Sequence, residues 1–402
     1  MQRDEENLTQ NKIKSFLRNV RLVIVVLVVV TLALLVFFNI DEINTDNFRR
    51  ILAKIDFSFN QVNTNNSGTI SFNGDSLNCY DIYKGGLAVL STDGLKIYDE
   101  KGNEFNSIQS IYHTPTMQTT KKFILTYDRG GTSLNIANSF TNVFSKTFPN
   151  RILNASMAEN GSFLVITEYE GYKALITVFD SSFNEKFLLY NAQNYILDAE
   201  LSNDGQVLTT ATLKSAKGEI EATINSYKVG KDIPFYSFSI ADCIPFELKY
   251  KSNGNLCVIS DKKVVFISKD GKKEGEINFE GRLLYNFSDN NNKFFAFITG
   301  TGLVSRNSHI IIADDKGNIW TNGDIEGAVK YSTFTENGLA LLEENNILLI
   351  DFSNKTNIKI KKNIIVKGEF EELLSIGTNG YAVASNYAEI VNLNNWFLTS
   401  NF

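Results

Sequence analysis

The chain has 402 residues, of which 43% are hydrophobic and 21% charged, and its formal net charge at pH 7 is −6. These values are typical of a folded protein with a core. Three cysteines (Cys79, Cys243 and Cys257) are too few and too widely spaced to form a disulfide framework, so we expect three ordinary thiols. The acidic balance argues against a nucleic-acid partner.

Residues 22–40 form an uncharged apolar run. In a helix, 19 residues rise about 28 Å, close to the hydrocarbon thickness of a bilayer. No small-residue cleavage pattern follows the run, so the sequence predicts an uncleaved transmembrane helix. The lipid bilayer is then the first expected partner.

The basic residues on either side of this run predict its orientation. Five precede it and three follow it over a similar distance: Arg3, Lys12, Lys14, Arg18 and Arg21, against Arg49, Arg50 and Lys54. This bias places residues 1–21 in the cytoplasm as a short tail and the rest of the chain outside the cell. We therefore expect a single-pass protein of the cell membrane.

The next segment, residues 41–67, is predicted to hold a juxtamembrane helix and a polar linker. Phe48, Ile51, Leu52 and Ile55 share one helical face, and the stretch `NQVNTNNSG` follows.

A polar turn followed by an apolar strand then recurs eight times. Aligned on their turn positions, the copies are spaced 36 to 49 residues apart: Gly86, Lys122, Gly161, Gly205, Gly254, Asn292, Gly338 and Gly380. Asn-Gly and Asp-Gly pairs are typical of tight turns between antiparallel strands. A repeat of this length is typical of the blades of a β-propeller. The second copy is the weakest, because Lys121 and Lys122 stand where a glycine is expected.

Each copy has room for four antiparallel strands, but the last lacks its fourth. The segment `GTISFNG`, residues 68–74, is a strand without a copy of its own, and it could complete the last blade and hide the open edges. The sequence thus predicts an all-β fold, an eight-bladed β-propeller over residues 68–402, preceded by one transmembrane α-helix. Seven blades is the alternative.

Over residues 68–396 the chain resembles WD40-like and quinoprotein-like β-propellers. It lacks the Gly-His and Trp-Asp residues of true WD40 repeats, and it has only Trp320 and Trp396. The combination is similar to an uncharacterised family of Firmicute proteins with one N-terminal membrane helix and an outward-facing propeller. That resemblance implies a location and a fold, and no known reaction.

Signatures of catalysis are scarce in the sequence. Two histidines, His113 and His309, cannot build a His-rich metal site, and no nucleotide-binding or serine-hydrolase motif occurs. The acidic turns `DDKGN` and `SKDGKKEG` lack the ligand spacing of a calcium loop. We predict no catalytic residue, no metal and no cofactor.

One rim of a propeller carries the loops between second and third strands, together with the connections between blades. Length variation in such loops is a common way for a rigid scaffold to carry function. We therefore predict binding residues in these loops: Arg129, Tyr169, Tyr172, Lys217 and Arg306.

Three functions follow from these patterns. The first is a membrane-anchored scaffold that binds an unknown envelope protein or ligand on the rim. The alternative is an extracytoplasmic hydrolase or lyase that acts on envelope polysaccharide with carboxylates in the central channel. The third is a redox enzyme that holds a quinone.

Overall fold

The computed structural model describes residues 68–393, apart from 75–76, 193, 217–218, 291–292, 303–306, 337, 354–357 and 378. Its regular secondary structure is entirely β-strand within this range, and the 32 strands form eight four-stranded antiparallel sheets. Each sheet is one blade. Blades 1 to 7 are each built from four consecutive strands, and blade 8 takes its outer strand from the start of the described chain.

The strands of the first half, in chain order, are as follows. The closing strand is β1 (Thr69–Ser71). Blade 1 contains β2 (Cys79–Tyr83), β3 (Gly86–Ser91), β4 (Gly94–Tyr98) and β5 (Glu104–Gln109). Blade 2 contains β6 (Pro115–Thr119), β7 (Ile124–Asp128), β8 (Ser133–Ala137) and β9 (Asn142–Thr147). Blade 3 contains β10 (Ile152–Met157), β11 (Phe163–Tyr169), β12 (Tyr172–Phe179) and β13 (Glu185–Asn191). Blade 4 contains β14 (Tyr195–Leu201), β15 (Val207–Ala216), β16 (Glu219–Lys228) and β17 (Tyr236–Ala241).

The strands of the second half continue the pattern. Blade 5 contains β18 (Pro245–Tyr250), β19 (Leu256–Ser260), β20 (Lys263–Ile267) and β21 (Lys273–Asn278). Blade 6 contains β22 (Leu283–Asp289), β23 (Phe294–Gly300), β24 (Asn307–Asp314) and β25 (Ile319–Glu326). Blade 7 contains β26 (Tyr331–Thr335), β27 (Gly338–Leu342), β28 (Asn346–Asp351) and β29 (Lys359–Ile365). Blade 8 contains β30 (Glu372–Ile376), β31 (Asn379–Val383) and β32 (Tyr387–Asn392), with β1 at its outer edge.

The ring is closed by strand pairing between its two ends. β1 runs antiparallel to β32, with Ile70 opposite Ala388, and the amide of Ile390 donates to the carbonyl of Gly68 at 2.7 Å. Ile70 is 1% exposed and packs with blade 1 residues such as Leu87. The predicted eight blades and the predicted role of residues 68–74 are confirmed, and the seven-bladed alternative is wrong.

The second blade shows how a turn forms without glycine. The hydroxyl of Thr120 accepts the amide of Phe123 at 3.1 Å, and the amide of Thr120 donates to the carbonyl of Phe123 at 2.8 Å. Threonine side chains can close turns in this way, so Lys121 and Lys122 are tolerated.

The hydrophobic core lies between neighbouring blades, because the sheet of each blade packs against another blade on both faces. In β11, Phe163 and Val165 pack toward blade 2, while Leu164 and Ile166 pack toward blade 4. Phe163 also stacks on Phe179 with ring centroids 4.4 Å apart. A single blade would expose both faces, so the blades stabilise one another.

The predicted tail, transmembrane helix and juxtamembrane segment (residues 1–67) lie outside the described residues, as do residues 394–402. Within the described range there is no helix of the length and apolarity needed to cross a bilayer. Cys79, Cys243 and Cys257 are free thiols.

Candidate functional site

The alternation of strand direction fixes which loops share a rim. We call rim A the face that carries the loops between second and third strands and the connections between blades. Rim B is the opposite face, with the first-to-second and third-to-fourth turns. On rim A an inner strand begins, a second strand ends, a third begins and an outer strand ends, in every blade.

The structure brings together two of the five predicted binding residues. Tyr169 and Tyr172 flank the two-residue turn between β11 and β12, where Gly171 adopts a φ of +80°. Their rings meet edge to face at 5.8 Å. Arg129 is exposed in the corresponding loop of blade 2. Lys217 and Arg306 lie outside the described residues, so their placement stays a prediction.

A third tyrosine completes what we call the tyrosine cluster: Tyr169, Tyr172 and Tyr190. Tyr190, near the end of β13, lies 5.3 Å from the ring of Tyr169 and 5.1 Å from that of Tyr172. The three side chains are 38% to 43% exposed. Loss of water contact among the rings raises the pKa of the Tyr190 hydroxyl. The cluster thus presents three aromatic rings and their hydroxyls on one surface.

Next to the cluster, Tyr195 begins the inner strand β14 of blade 4. The ammonium of Lys173 lies over its ring, 4.4 Å from the centroid, and donates to its hydroxyl at 3.0 Å. Tyr195 is 62% exposed. Rim A therefore carries aromatic side chains across the boundary between blades 3 and 4.

Further large apolar side chains are exposed on rim A. They lie in the connections between blades and at the strand ends that meet rim A: Leu77, Ile111, Ile220, Ile244, Phe246, Leu283 and Ile365. Tyr195, Phe246 and Leu283 occupy the first two positions of the inner strands in three successive blades. An arc of apolar side chains thus follows the mouth of the channel from blade 4 to blade 6.

A β-bulge recurs beneath this arc. In blades 3 to 6 the pairing of inner and second strands slips near rim A: after Ile152, Ile196, Pro245 and Leu284. A bulge inserts one residue and re-aims the neighbouring side chains. In the described pairings of the other four inner strands no such slip occurs. On rim A, the starts of the inner strands therefore have a different backbone geometry in blades 3 to 6 than in the other four blades.

Polar side chains around the channel connect one inner strand to the next. The Asn154 amide donates to Asp198 Oδ1 at 3.0 Å, and Asp198 Oδ2 accepts the Leu248 amide at 2.7 Å. Asp81 Oδ2 accepts both the amide and the hydroxyl of Thr119, at 3.1 and 2.8 Å. Other bonds of this kind join Ser156 with Glu200, Gln118 with Met157, and Asn286 with Ser332. These carboxylates and amides hold neighbouring blades together.

Burial beside the channel shifts several carboxyl groups toward their neutral form. It raises the pKa of Asp198 to about 7 and that of Glu200 to about 8, where the Asp198 charge adds to the effect. It also raises the pKa of Glu372 to about 7, with a further contribution from Asp81. Structural networks as well as active sites produce such shifts.

One cation balances part of this acidity. Burial acts to lower the pKa of Lys249, but the carboxylates of Asp289 and Glu247, with two others, outweigh it and raise that pKa. Lys249 Nζ lies 4.0 Å from Glu247 Oε1, and 35% of the lysine side chain is exposed to solvent. Lys249 therefore interacts with four carboxylates rather than with a single partner: Asp289, Glu247, Glu200 and Asp81.

The remaining chemistry is sparse in the part of the chain that the structure describes. No group of three or more metal-binding side chains comes together there. His113 Nδ1 lies 3.1 Å from Asp128, and His309 Nδ1 lies 2.6 Å from Asp324, as single pairs. Asp81 and Asp198 are engaged in hydrogen bonds between neighbouring blades. The carboxylate-dependent hydrolase stays a prediction.

Two features of this rim escaped the sequence patterns. Tyr190 and Tyr195 lie in strands, whereas the predicted binding residues lie in loops. In β13, Leu188 and Tyr190 alternate with less exposed neighbours. Large apolar residues at the exposed positions of an outer strand are unusual. That pattern in the sequence could have indicated a binding surface.

Comparisons with known proteins agree on the fold. A family model described as a family of unknown function (DUF5711) matches residues 55–388. The C-terminal WD40 domain of Sif2 superposes with a TM-score of 0.58 at 11% identity, covering 76% of this chain and 92% of that domain. Sqt1 of Chaetomium thermophilum superposes with a TM-score of 0.54 at 10% identity, covering 82% and 98%. Sqt1 bound to the N-terminus of the ribosomal protein L10 gives 0.53 at 11% identity, covering 78% and 95%. No curated protein sequence matches the chain.

Proposed function

The chain belongs to the DUF5711 family of unknown function, and we propose that it is a non-catalytic scaffold that binds a partner protein on rim A. We further propose that residues 22–40 anchor it in the cell membrane, with the propeller outside the cell. The tyrosine cluster is the observation that carries the proposal.

Clustered aromatic rings on a solvent-exposed surface often mark an interaction site. Aromatic residues are enriched at protein interfaces, where a few of them supply most of the binding energy. Tyr169 and Tyr172 hold each other in place, so little side-chain entropy is lost when a partner covers them. The apolar arc at Phe246 and Leu283 extends the same surface around the channel mouth.

The fold supports this use. WD40-type propellers are commonly scaffolds or binding modules, and the Sqt1 propeller has been crystallised with the N-terminus of a ribosomal protein. The apolar run at 22–40 and the basic residues before it support the anchor and its orientation.

Partner capture from membranes tests the proposal. Full-length protein is solubilised in detergent, and co-purifying proteins are quantified for the wild type, for Tyr169→Ala/Tyr172→Ala/Tyr190→Ala, and for a rim B control. Phe235→Ala/Ile319→Ala is a matched control, since both residues are exposed apolar side chains on rim B.

We expect a specific partner whose recovery falls about 30-fold or more in the tyrosine variant, because central interface aromatics contribute about 2 kcal/mol or more. The control should recover it normally. A partner retained by the tyrosine variant, or no reproducible partner, would contradict docking on this cluster.

The anchor has its own test on intact cells. External protease should digest the propeller segment, residues 68–402, while an N-terminal tag stays protected. Protection of the propeller would overturn the outward orientation.

A further inference from the structure

A groove runs between blades 3 and 4, next to the tyrosine cluster. Its volume is about 360 Å³, within the range of small-ligand sites. One wall is the end of β13 with Leu189 and Asn191, and the other is the face of blade 4 formed by β15 and β16. Its lining extends from the connection between the two blades on rim A, with Asn191 and Asn194, to Pro234 in a rim B turn.

The groove exists because blade 4 lacks the apolar pair that blades 5 to 7 have at this position. Blade 2 has a similar polar pair, Thr126 with Asn135, but there the Tyr112 hydroxyl bonds both side chains. Thr210 of β15 pairs with Asn225 of β16. At the corresponding positions blades 5, 6 and 7 have buried apolar pairs that fill the space toward the preceding blade: Val258 with Val265, Phe297 with Ile311, and Leu341 with Leu348. Polar residues here give up apolar packing, which costs stability unless their groups find partners.

The functional groups in this groove are amides and hydroxyls. Its polar side chains are Tyr190, Asn191, Asn194, Thr210, Thr212, Asn225 and Tyr227, and the described lining contains no charged residue. Two comparable grooves differ: that between blades 7 and 8 has Lys362, Lys367 and Glu389, and that between blades 8 and 1 has Asp93 and Lys96. A charged ligand would find no counter-charge between blades 3 and 4.

Some of these groups are already engaged, and others remain. The Asn191 amide donates to the carbonyl of Asn194 at 3.0 Å, and the Thr212 hydroxyl donates to the carbonyl of Thr223 at 3.2 Å. The side-chain amides of Asn194 and Asn225 make no hydrogen bond with any residue that the structure describes. A carboxamide offers two donors and an acceptor, which matches a pair of neighbouring hydroxyls.

We propose that the groove between blades 3 and 4 binds a neutral saccharide unit. The Asn194 and Asn225 amides hydrogen-bond its hydroxyls, and its C–H face packs on the ring of Tyr227, which lies on the same face of β16 as Asn225. The site goes beyond the docking of a protein on rim A and does not depend on it.

The test compares neutral and charged oligosaccharides on the full-length protein in detergent, by saturation-transfer NMR and calorimetry. The neutral probes are cellohexaose, maltohexaose and N-acetylchitohexaose, and a hyaluronan hexasaccharide is the anionic control. We expect at least one neutral probe to bind and the anionic one to bind much more weakly. The corresponding polymer and the monosaccharide, as further arms, show whether a chain or a free sugar is held.

The discriminating variant is Thr210→Val/Asn225→Val, which recreates the Val258–Val265 pair of blade 5. It should stay folded with a melting temperature close to that of the wild type, because apolar packing offsets the loss of the Thr210 hydroxyl as a partner of Tyr227. It should bind the saccharide about tenfold more weakly or worse. Partner capture by rim A should not change. Failure of every neutral probe at millimolar concentration overturns the proposal, and so does unchanged affinity in a folded Val/Val variant.

Discussion

Lys251 offers a quantitative test of how neighbouring blades are joined. It follows β18 in blade 5, is 3% exposed, and extends toward blade 6. Its ammonium lies 3.1 Å from Asp289 Oδ2 and 3.9 Å from the centroid of the Phe295 ring. It also donates to the carbonyls of Asn290 and Phe294, at 3.0 and 3.3 Å. We consider its replacement by methionine, which has a similar length and no charge.

The cost of Lys251→Met comes mainly from the carboxylate left behind. Asp289 is 17% exposed and loses the ammonium that lies 3.1 Å away, which leaves Lys249 as a more distant cation. Breaking a buried pair by removing one partner costs about 3–5 kcal/mol. The two carbonyls also accept backbone amides, Lys293 N to Asn290 and Asn290 N to Phe294, so they stay satisfied. Burial is the largest influence on the pKa of Lys251 and lowers it against the pull of Asp289. The Lys251–Asp289 ion pair therefore adds little net stability, because its attraction mainly offsets the cost of burying the two charges.

The assay is a double-mutant cycle read by calorimetric melting. For a propeller of about 330 residues the unfolding entropy is about 0.7 kcal/mol/K, so Lys251→Met should lower Tm by about 4–7 °C. Lys251→Met/Asp289→Leu should recover most of that loss, because the carboxylate that lost its close partner is removed as well, while Lys249 keeps Glu247. The reasoning is refuted if Lys251→Met lowers Tm by less than about 1 °C, or if the effects of the two substitutions simply add.

Three further outcomes follow from the same structure. Ile70→Asp places a charge in the closing contact of β1 and should destabilise the propeller by about 3 kcal/mol or more, while Ser71→Asp on the exposed side should be near neutral; equal melting temperatures for the two variants would contradict this. Between about pH 5 and pH 8 the folded state holds protons on Asp198 and Glu200 that the unfolded state has released. The free energy of unfolding should therefore fall as pH rises, by up to about 1.4 kcal/mol per pH unit for each group, as measured by denaturant titration. Glu200→Gln should flatten this slope, and a slope that is unchanged in the variant argues against the assignment. Thr120→Ala removes the hydroxyl that closes the blade 2 turn and should cost about 1 kcal/mol, whereas Thr120→Ser should retain most of it; identical denaturation midpoints for the two would count against that role.

The fold was predictable because its determinants are local and repeated. Turn residues such as Gly161 and Gly205, with apolar strands after them, recur at blade spacing and set the number of blades. The missing fourth strand of the last copy, together with the spare strand at Ile70, indicated how the ring closes. Edge pairing leaves few alternatives once the strands are counted.

The site was less predictable because it depends on departures from the repeat. Tyr169 and Tyr172 stand out in a loop, but Tyr190 joins them from another strand, through the curvature of the blade. Thr210 and Asn225 read as ordinary strand residues until the register shows that they face a core position. Lys251 looks like a solvated turn residue in the sequence, yet its side chain is buried by the next blade. Side-chain direction between blades is a tertiary property that spacing does not encode.

The pairing of β1 with β32 also has a consequence during synthesis. The strand that contains Ile70 cannot pair with β32 until Ala388 has been synthesised, about 320 residues later. At about 5–20 residues per second this interval is on the order of 15–60 s. Through that time seven blades can assemble side by side while an apolar strand stays without its partner. The last step of folding then joins the oldest segment of the propeller to the newest. A nascent chain stalled before β32 would remain an open, aggregation-prone arc.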